Sequence, residues 1–533
     1  MRYILTGNFQ YDLGIYGLKK ILDFFNESYE TDGKYYIELN KKPEEILEFI
    51  ILKLISQKTP LYFLNKIFEV LFEDNKDFKK EFEGKVKNLN FSDEYKNLIE
   101  IIKKEKSLEK TISYLTEIIY NVLVNTFNIQ SKITKQQIEE ILWNKTVNLL
   151  NNILLNFQAD RKVKGKTVLD KAIEKLYKDV EKNSLCSFCE QHPGKRITRD
   201  TFFFAPAQFN AFWFNEPSIF ICPYCLACNL AITQSMTFLG NEINSVVIYK
   251  PNIEDMENLN EGLKISNIGE LTKKVIEYEK LNLKKEATTK DLQIIEFYLD
   301  SKNPKLEFYM LTDEVIENIL KVSSQLENLY INYKDSLWGQ VKDKNGYEEI
   351  NLSKELLKYL SYNQKLFFLV QRFAKLGIMA ESFRQGNVRN PPVKGFYINV
   401  LLEILKIHFI LEELGMNYFE AFKDYGQFLR GKVISQVSEG GNVNWNTFNN
   451  KIISLSNSFL DAGKGNFQQF METLTRVMIS YDAPIDTNLL KLINKDTYKE
   501  IATTIALSLM TKKPNEEKLK ENQQTSIEKG QEI

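Results

Sequence analysis

Leu185-Cys186-Ser187-Phe188-Cys189-Glu190 and, further on, Ile221-Cys222-Pro223-Tyr224-Cys225-Leu226-Ala227-Cys228 hold all five cysteines of a 533-residue chain. A two-residue spacer lets both sulfurs of a tight turn point at one ion. Two such turns brought together complete the tetrahedral four-sulfur shell that Zn²⁺ prefers. Cys186, Cys189, Cys222 and Cys225 are therefore the candidate metal ligands. Zinc is the candidate cofactor, in a structural role, because four protein ligands leave no open position for a catalytic water. Other readings stay open. Cys228, a further two-residue step along, offers a substitute ligand for an iron–sulfur cluster. His192 could replace a sulfur, either pair alone could act as a redox dithiol, and disulfides would need an oxidising compartment for which no signal peptide argues.

Around the cysteines the sequence changes character. Residues 160–200 carry eleven Lys and Arg against seven acids, with Lys195, Arg196 and Arg199 beside the metal motif as candidate nucleic-acid contacts. Between the pairs lies an aromatic block, Phe202, Phe203, Phe204, Phe209, Phe212, Trp213, Phe214 and Phe220. It reads either as packing that ties a zinc-ribbon-like element to its host or as a base-stacking platform. A strand is expected at Val246 to Tyr249.

Upstream, the pattern predicts a strand at Arg2 to Leu5 and a turn at Thr6-Gly7-Asn8. A helix follows, with Ile15, Leu18, Ile21, Leu22 and Phe25 at helical spacing and Asp12 as its cap. A second strand is expected at Tyr35 to Leu39. Residues 43–157 read as amphipathic helix broken at Pro60, Asp74-Asn75 and Asn128. Downstream, the Gly/Asn/charge-rich stretch Gly339 to Asn351 looks like a boundary, and from Ser353 on the pattern is an up-and-down bundle of about five helices. Its breaks fall at Gly386 to Gly395, Gly415, Gly440-Gly441 and Asp461 to Gly465. The fold class expected is mainly α. An N-terminal α+β domain spans 1–350 with helical insertions and the zinc-binding element at about 184–250, followed by a C-terminal helical bundle over 351–511 and a disordered polar tail over 512–533.

Composition narrows the function. The net charge is −1, so any contact with a polyanion must come from local patches. One such patch is the loop around Arg384, Arg389 and Lys394, where residues 372–394 carry five basic side chains against the single acid Glu381. Guanidinium forks and free backbone amides there suit phosphate oxygens. The longest apolar runs, such as Ile50-Ile51-Leu52, are far too short to span a membrane, and a cytoplasmic protein is expected. Gly463-Lys464-Gly465 lacks the rest of a phosphate-cradling loop. With His192 and His408 the only histidines, His-based nuclease or hydrolase chemistry is hard to assemble. His408 falls on an apolar helical stripe and reads as structural.

The two Cys-x-x-Cys pairs, the run Thr6-Gly7-Asn8-Phe9-Gln10-Tyr11-Asp12-Leu13-Gly14-Ile15, the size and the helical C-terminal third together resemble the CRISPR-associated CXXC–CXXC family. That family supplies the large subunit of type I-B Cascade surveillance complexes. The resemblance implies a non-catalytic protein that joins a guide-RNA ribonucleoprotein with its backbone subunits. It also implies reading of a short protospacer-adjacent motif (PAM) on target double-stranded DNA, help in opening the duplex, and a docking surface for a separate helicase-nuclease. Sequence matching in such systems is delegated to base pairing with the guide. Asn8 and Gln10 are candidates for groove contact, since an amide both donates to and accepts from base edges. The bundle could also be made separately from an internal start such as Met379. Two other functional classes compete: a zinc-stabilised nuclease using carboxylates and Mg²⁺, and a scaffold that touches no nucleic acid.

Overall fold

The computed structural model describes residues 1–72, 76–127, 133–147, 149, 167–197, 219–238, 244–263, 269–282, 292–298, 305–344, 346–386, 388–439 and 442–511. These residues are mostly helical, with small antiparallel sheets. They divide into two compact units, Met1–Ser266 with Leu292–Phe308, and Asn267–Asp291 with Tyr309–Ile533. The division thus falls near Tyr309, whereas the sequence pointed to about 350. The stretch read as a boundary is instead a hairpin, Trp338–Asp343 paired with Gly346–Asn351, which Val393–Gly395 extends on its other side. Gly339 makes this possible, because a Cβ there would sit 2.2 Å from the ring of Phe396. Turn-rich composition marked the hairpin and hid its strands.

In the N-terminal unit, Arg2–Ile4 pairs with Tyr36–Glu38, placing the buried Tyr3 opposite the buried Ile37. Glu30–Thr31 completes that sheet. The helix Phe9–Phe25 follows, and its cap is Asn8, whose side chain accepts from the Tyr11 N–H, rather than Asp12. Helices Pro43–Ser56, Pro60–Leu71, Lys76–Val86, Ser92–Glu105, Leu108–Phe127 and Lys135–Val147 fill the expected helical region. Pro43 and Pro60 each open a helix, where a missing N–H costs nothing. Asn244–Tyr249 forms the expected strand, paired with Leu292–Tyr298 and with Thr237–Phe238.

The second unit is organised around its last helix. Tyr498–Met510 is buried along nearly its whole length, and a helix buried on every side belongs at the centre of a bundle rather than on its rim. Helices Leu366–Gln385, Ile398–Leu411, Met416–Gln436 and Trp445–Lys464 pack against it. Thr503, Thr504 and Ser508 donate to carbonyls one turn back, which settles their hydroxyls inside the core. Arg430, 2 % exposed, donates to the Leu509 carbonyl and lies over the Phe448 ring. Four helices thus surround a central one, with Leu352–Ser361, Phe467–Ser480 and Thr487–Leu492 added. His408 is buried as expected, with Nε2 3.7 Å from Glu500. The tail from 512 and the break at Gly440-Gly441 lie outside the described residues.

Candidate metal centre

Glu181–Leu185, Pro193–Arg196 and Phe220–Ile221 form a three-stranded antiparallel sheet, and the first cysteine pair sits in the turn between its first two strands. The turn closes on itself: the Cys186 N–H donates to the His192 carbonyl and the Glu190 N–H to the Cys186 carbonyl, both at 2.9 Å. Glu190 takes the left-handed conformation needed to finish it, φ 54°. Ser187 stitches the turn to the third strand, its N–H donating to the Phe220 carbonyl and its hydroxyl accepting from the Phe220 N–H.

The second pair is built differently. Cys222 is the N-cap of the helix Pro223–Leu230, so Cys222 and Cys225 lie one turn apart at a helix start, and Cys222 Sγ accepts from the Cys225 N–H at 3.4 Å. Free amides and the positive end of the helix dipole both favour thiolate over thiol there. One hairpin turn plus one helix start replaces the two hairpins of the zinc ribbon expected from sequence. Nor is the element an appendage. Its helix packs against Phe9–Phe25 and Pro43–Ser56, and Cys225, Leu226, Ala227, Cys228 and Leu230 belong to the core of the unit.

The four sulfurs of Cys186, Cys189, Cys222 and Cys225 all lie within 4.8 Å of one another, with Cys189 and Cys222 at 3.7 Å. Sulfurs bound at ~2.3 Å in a tetrahedron stand ~3.8 Å apart, so the cluster can hold a metal ion such as zinc. The spacing leaves no room for a multi-iron cube. Cys228 stands outside this group, and the His192 ring stacks on Tyr224 at 4.7 Å. S–H groups of Cys186, Cys222 and Cys225 hold the Cys189 sulfur far below the ordinary thiol range, while burial and then the neighbouring sulfurs push Cys225 up. A divalent ion held there would favour the thiolate form of all four.

Sequence reading missed the support for this cluster. The Tyr11 hydroxyl lies 3.2 Å from Cys225 Sγ, and its ring packs on Phe188 between the first two cysteines. One residue on, the Asp12 carboxylate accepts from the N–H groups of Thr6 and Gly7 and from the Tyr249 hydroxyl. It fixes the Thr6-Gly7-Asn8 turn, in which Gly7 has φ 81°. Burial nonetheless raises its pKa to about 6, against the lowering effect of those hydrogen bonds. Gly14 and Gly17 face the cysteine helix so closely that a Cβ would lie 2.7 Å from the Cys228 carbonyl oxygen and 2.0 Å from that of Ala231. The available signal was the three-residue step from Tyr11 through Gly14 to Gly17 on one helical face.

The candidate nucleic-acid residues separate. Gln10 is 1 % exposed, so it packs inside and cannot reach a groove, which corrects its assignment. The Asn8 carbonyl oxygen is committed to capping. Lys195 donates to the Lys175 carbonyl, whereas Arg196 is exposed. Arg384 is held by Glu381, by the Gly395 carbonyl and by stacking on Tyr397, so it braces its loop rather than standing free for phosphate. Arg389 is exposed at the loop tip, and Lys394 lies over Tyr347. Arg199 and the aromatics from Phe202 to Phe214 lie outside the described residues.

These features define a mainly helical protein with a four-cysteine centre inside one of its two units. No helix among the described residues is long and apolar enough to cross a membrane. Compared with known proteins, the chain gives no significant match to a family model, a curated protein or a solved structure.

Proposed function

We propose that this chain is the non-catalytic large subunit of a type I CRISPR surveillance complex, with a structural zinc ion on Cys186, Cys189, Cys222 and Cys225. One observation carries the reading. The two stretches on which the family resemblance rests pack as one unit: the Thr6-to-Ile15 run supplies Tyr11 to Cys225, and Gly14 to the backbone of Cys228. The two stretches thus form one structural element, which supports reading them together. The resemblance extends this to assembly with a guide-RNA ribonucleoprotein, PAM recognition and opening of target duplex DNA, and recruitment of a helicase-nuclease. Arg196, Arg389 and Lys394 are the basic side chains assigned to phosphate, and a near-neutral subunit suffices because guide pairing carries the sequence information.

The test is a reconstituted complex assayed for duplex binding across PAM variants, with and without this chain. PAM dependence should appear only with it. Equal discrimination in its absence refutes the assignment, and metal-dependent DNA cleavage by the purified chain would replace it with the nuclease reading.

A further inference from the structure

Two helices of the N-terminal unit each bring a lysine to one aromatic ring, and a third helix sets another lysine within electrostatic reach. Lys53, from Pro43–Ser56, sets its Nζ 3.6 Å from the ring centre of Phe24, and Lys103, from Ser92–Glu105, sets its own 4.8 Å from that ring. Lys20 lies one helical turn before Phe24 and within electrostatic reach of Lys53, its Nζ 5.4 Å from the Tyr16 ring. Lys20 and Lys53 are half-buried and Lys103 is exposed.

Among the described residues none of the three forms an ion pair. The contrast with the adjoining Lys19, which bridges Asp23 and Glu257, is plain. Glu257 and Glu261 act on Lys20 from a distance, and Glu257 already serves Lys19. Burial lowers Lys20, and Lys53 is pushed down to about 8 by burial first and then by repulsion from Lys20 and Lys103. Aromatic faces attract cations but do not neutralise them. Like charges gathered on a half-buried surface are unfavourable on their own, and an arriving anion reverses the sign of the interaction. Lysine ammonium groups are point charges with three donors each, suited to phosphate oxygens approached from several directions.

We infer that Lys53 and Lys103, over the Phe24 ring, together with Lys20 on the neighbouring Tyr16, form a docking site for the phosphodiester backbone of nucleic acid. The inference deepens the function proposed above and rests on it for the identity of the polyanion. The site lies on the outer turns of three packed helices and touches none of the cysteine ligands, so it contributes sequence-independent attraction rather than base reading.

Competitive acylation of the full-length protein at neutral pH, read by peptide mass spectrometry, tests this in four arms: no addition, a mixed-sequence DNA duplex, inorganic phosphate, and poly-glutamate of matched charge. The duplex should suppress labelling of Lys53 and Lys103 several-fold and leave Lys66, a half-buried lysine paired with Glu69, unchanged. Lys53→Gln should lower the slope of log affinity against log salt by about one. Protection by phosphate alone, equal protection by poly-glutamate, or no protection in any arm overturns the inference. The labelling arms use the unaltered chain, so they decide the matter even if Lys53→Gln folds poorly. PAM discrimination by the assembled complex is a separate readout: if that succeeds and this fails, only the lysine site is lost.

Discussion

Gly17→Ala tests whether the first helix and the cysteine helix must touch backbone to backbone. The added Cβ would stand 2.0 Å from the Ala231 oxygen and 2.7 Å from the Ala231 carbonyl carbon, where carbon contacts are comfortable at about 3.5 Å. The two elements must then part by roughly 1.5 Å, and the obstacle is main chain, so no rotamer change relieves it. Overpacking of this kind costs about 3 kcal/mol at the upper end of its usual range. Alanine returns about 1 kcal/mol through helix propensity, leaving a net loss of about 2 kcal/mol. Because the candidate metal ligands Cys222 and Cys225 open the displaced helix, the loss should appear as faster metal release to a chelator. That readout is local to the N-terminal unit, which matters because two units can unfold separately. Gly84→Ala is the control: its Cβ meets nothing within 4 Å on an exposed helix, so it should be neutral or stabilising by up to about 1 kcal/mol. If Gly17→Ala released metal no faster than the unaltered protein and unfolded at the same urea concentration, the close packing inferred here would be wrong.

Cys222→Ser should abolish stoichiometric zinc, measured by elemental analysis, and unfold the cysteine-bearing element, because binding energy at such a site is folding energy. Iron in the unaltered protein would reject the zinc assignment. Asp12 should leave a pH signature. Its folded pKa, about 6, lies above the ordinary carboxyl value of 3.8, so its contribution is fully present below pH 3.8 and is lost as pH rises through 6. Urea unfolding of the unaltered protein minus that of Asp12→Asn should therefore fall between pH 4 and 6.5 and then level off. A flat difference curve would show that the Thr6, Gly7 and Tyr249 hydrogen bonds outweigh burial at this carboxylate.

Local chemistry in the sequence was enough for most helices outside the cysteine element, for the strands at Arg2–Ile4, Tyr36–Glu38 and Asn244–Tyr249, and for naming four cysteines as candidate ligands of one ion. Each depends on short-range periodicity or on a spacer that limits where two side chains can point. The hairpin at Trp338–Asn351 was less legible, because its apolar positions are few and its Gly and Asn residues resemble a linker. The centrality of Tyr498–Met510 was equally hidden, since threonines and serines mask a helix that is buried all round. Gln10 shows the converse error: a polar side chain in an otherwise exposed-looking turn was drawn into the interior.

Spacing therefore named four candidate sulfurs, because a Cys-x-x-Cys turn has few ways to fold, and the tertiary structure set Cys228 outside their group. Only the tertiary structure decided that the second pair opens a helix and that Tyr11, Gly14 and Gly17 press against it. It alone gathers Lys53 and Lys103 on Phe24, with Lys20 within electrostatic reach of Lys53. Those arrangements join residues up to 237 positions apart, as between Asp12 and Tyr249, and depend on how whole helices settle their apolar faces together. No local pattern encodes such a meeting, because each partner's own segment is satisfied without it.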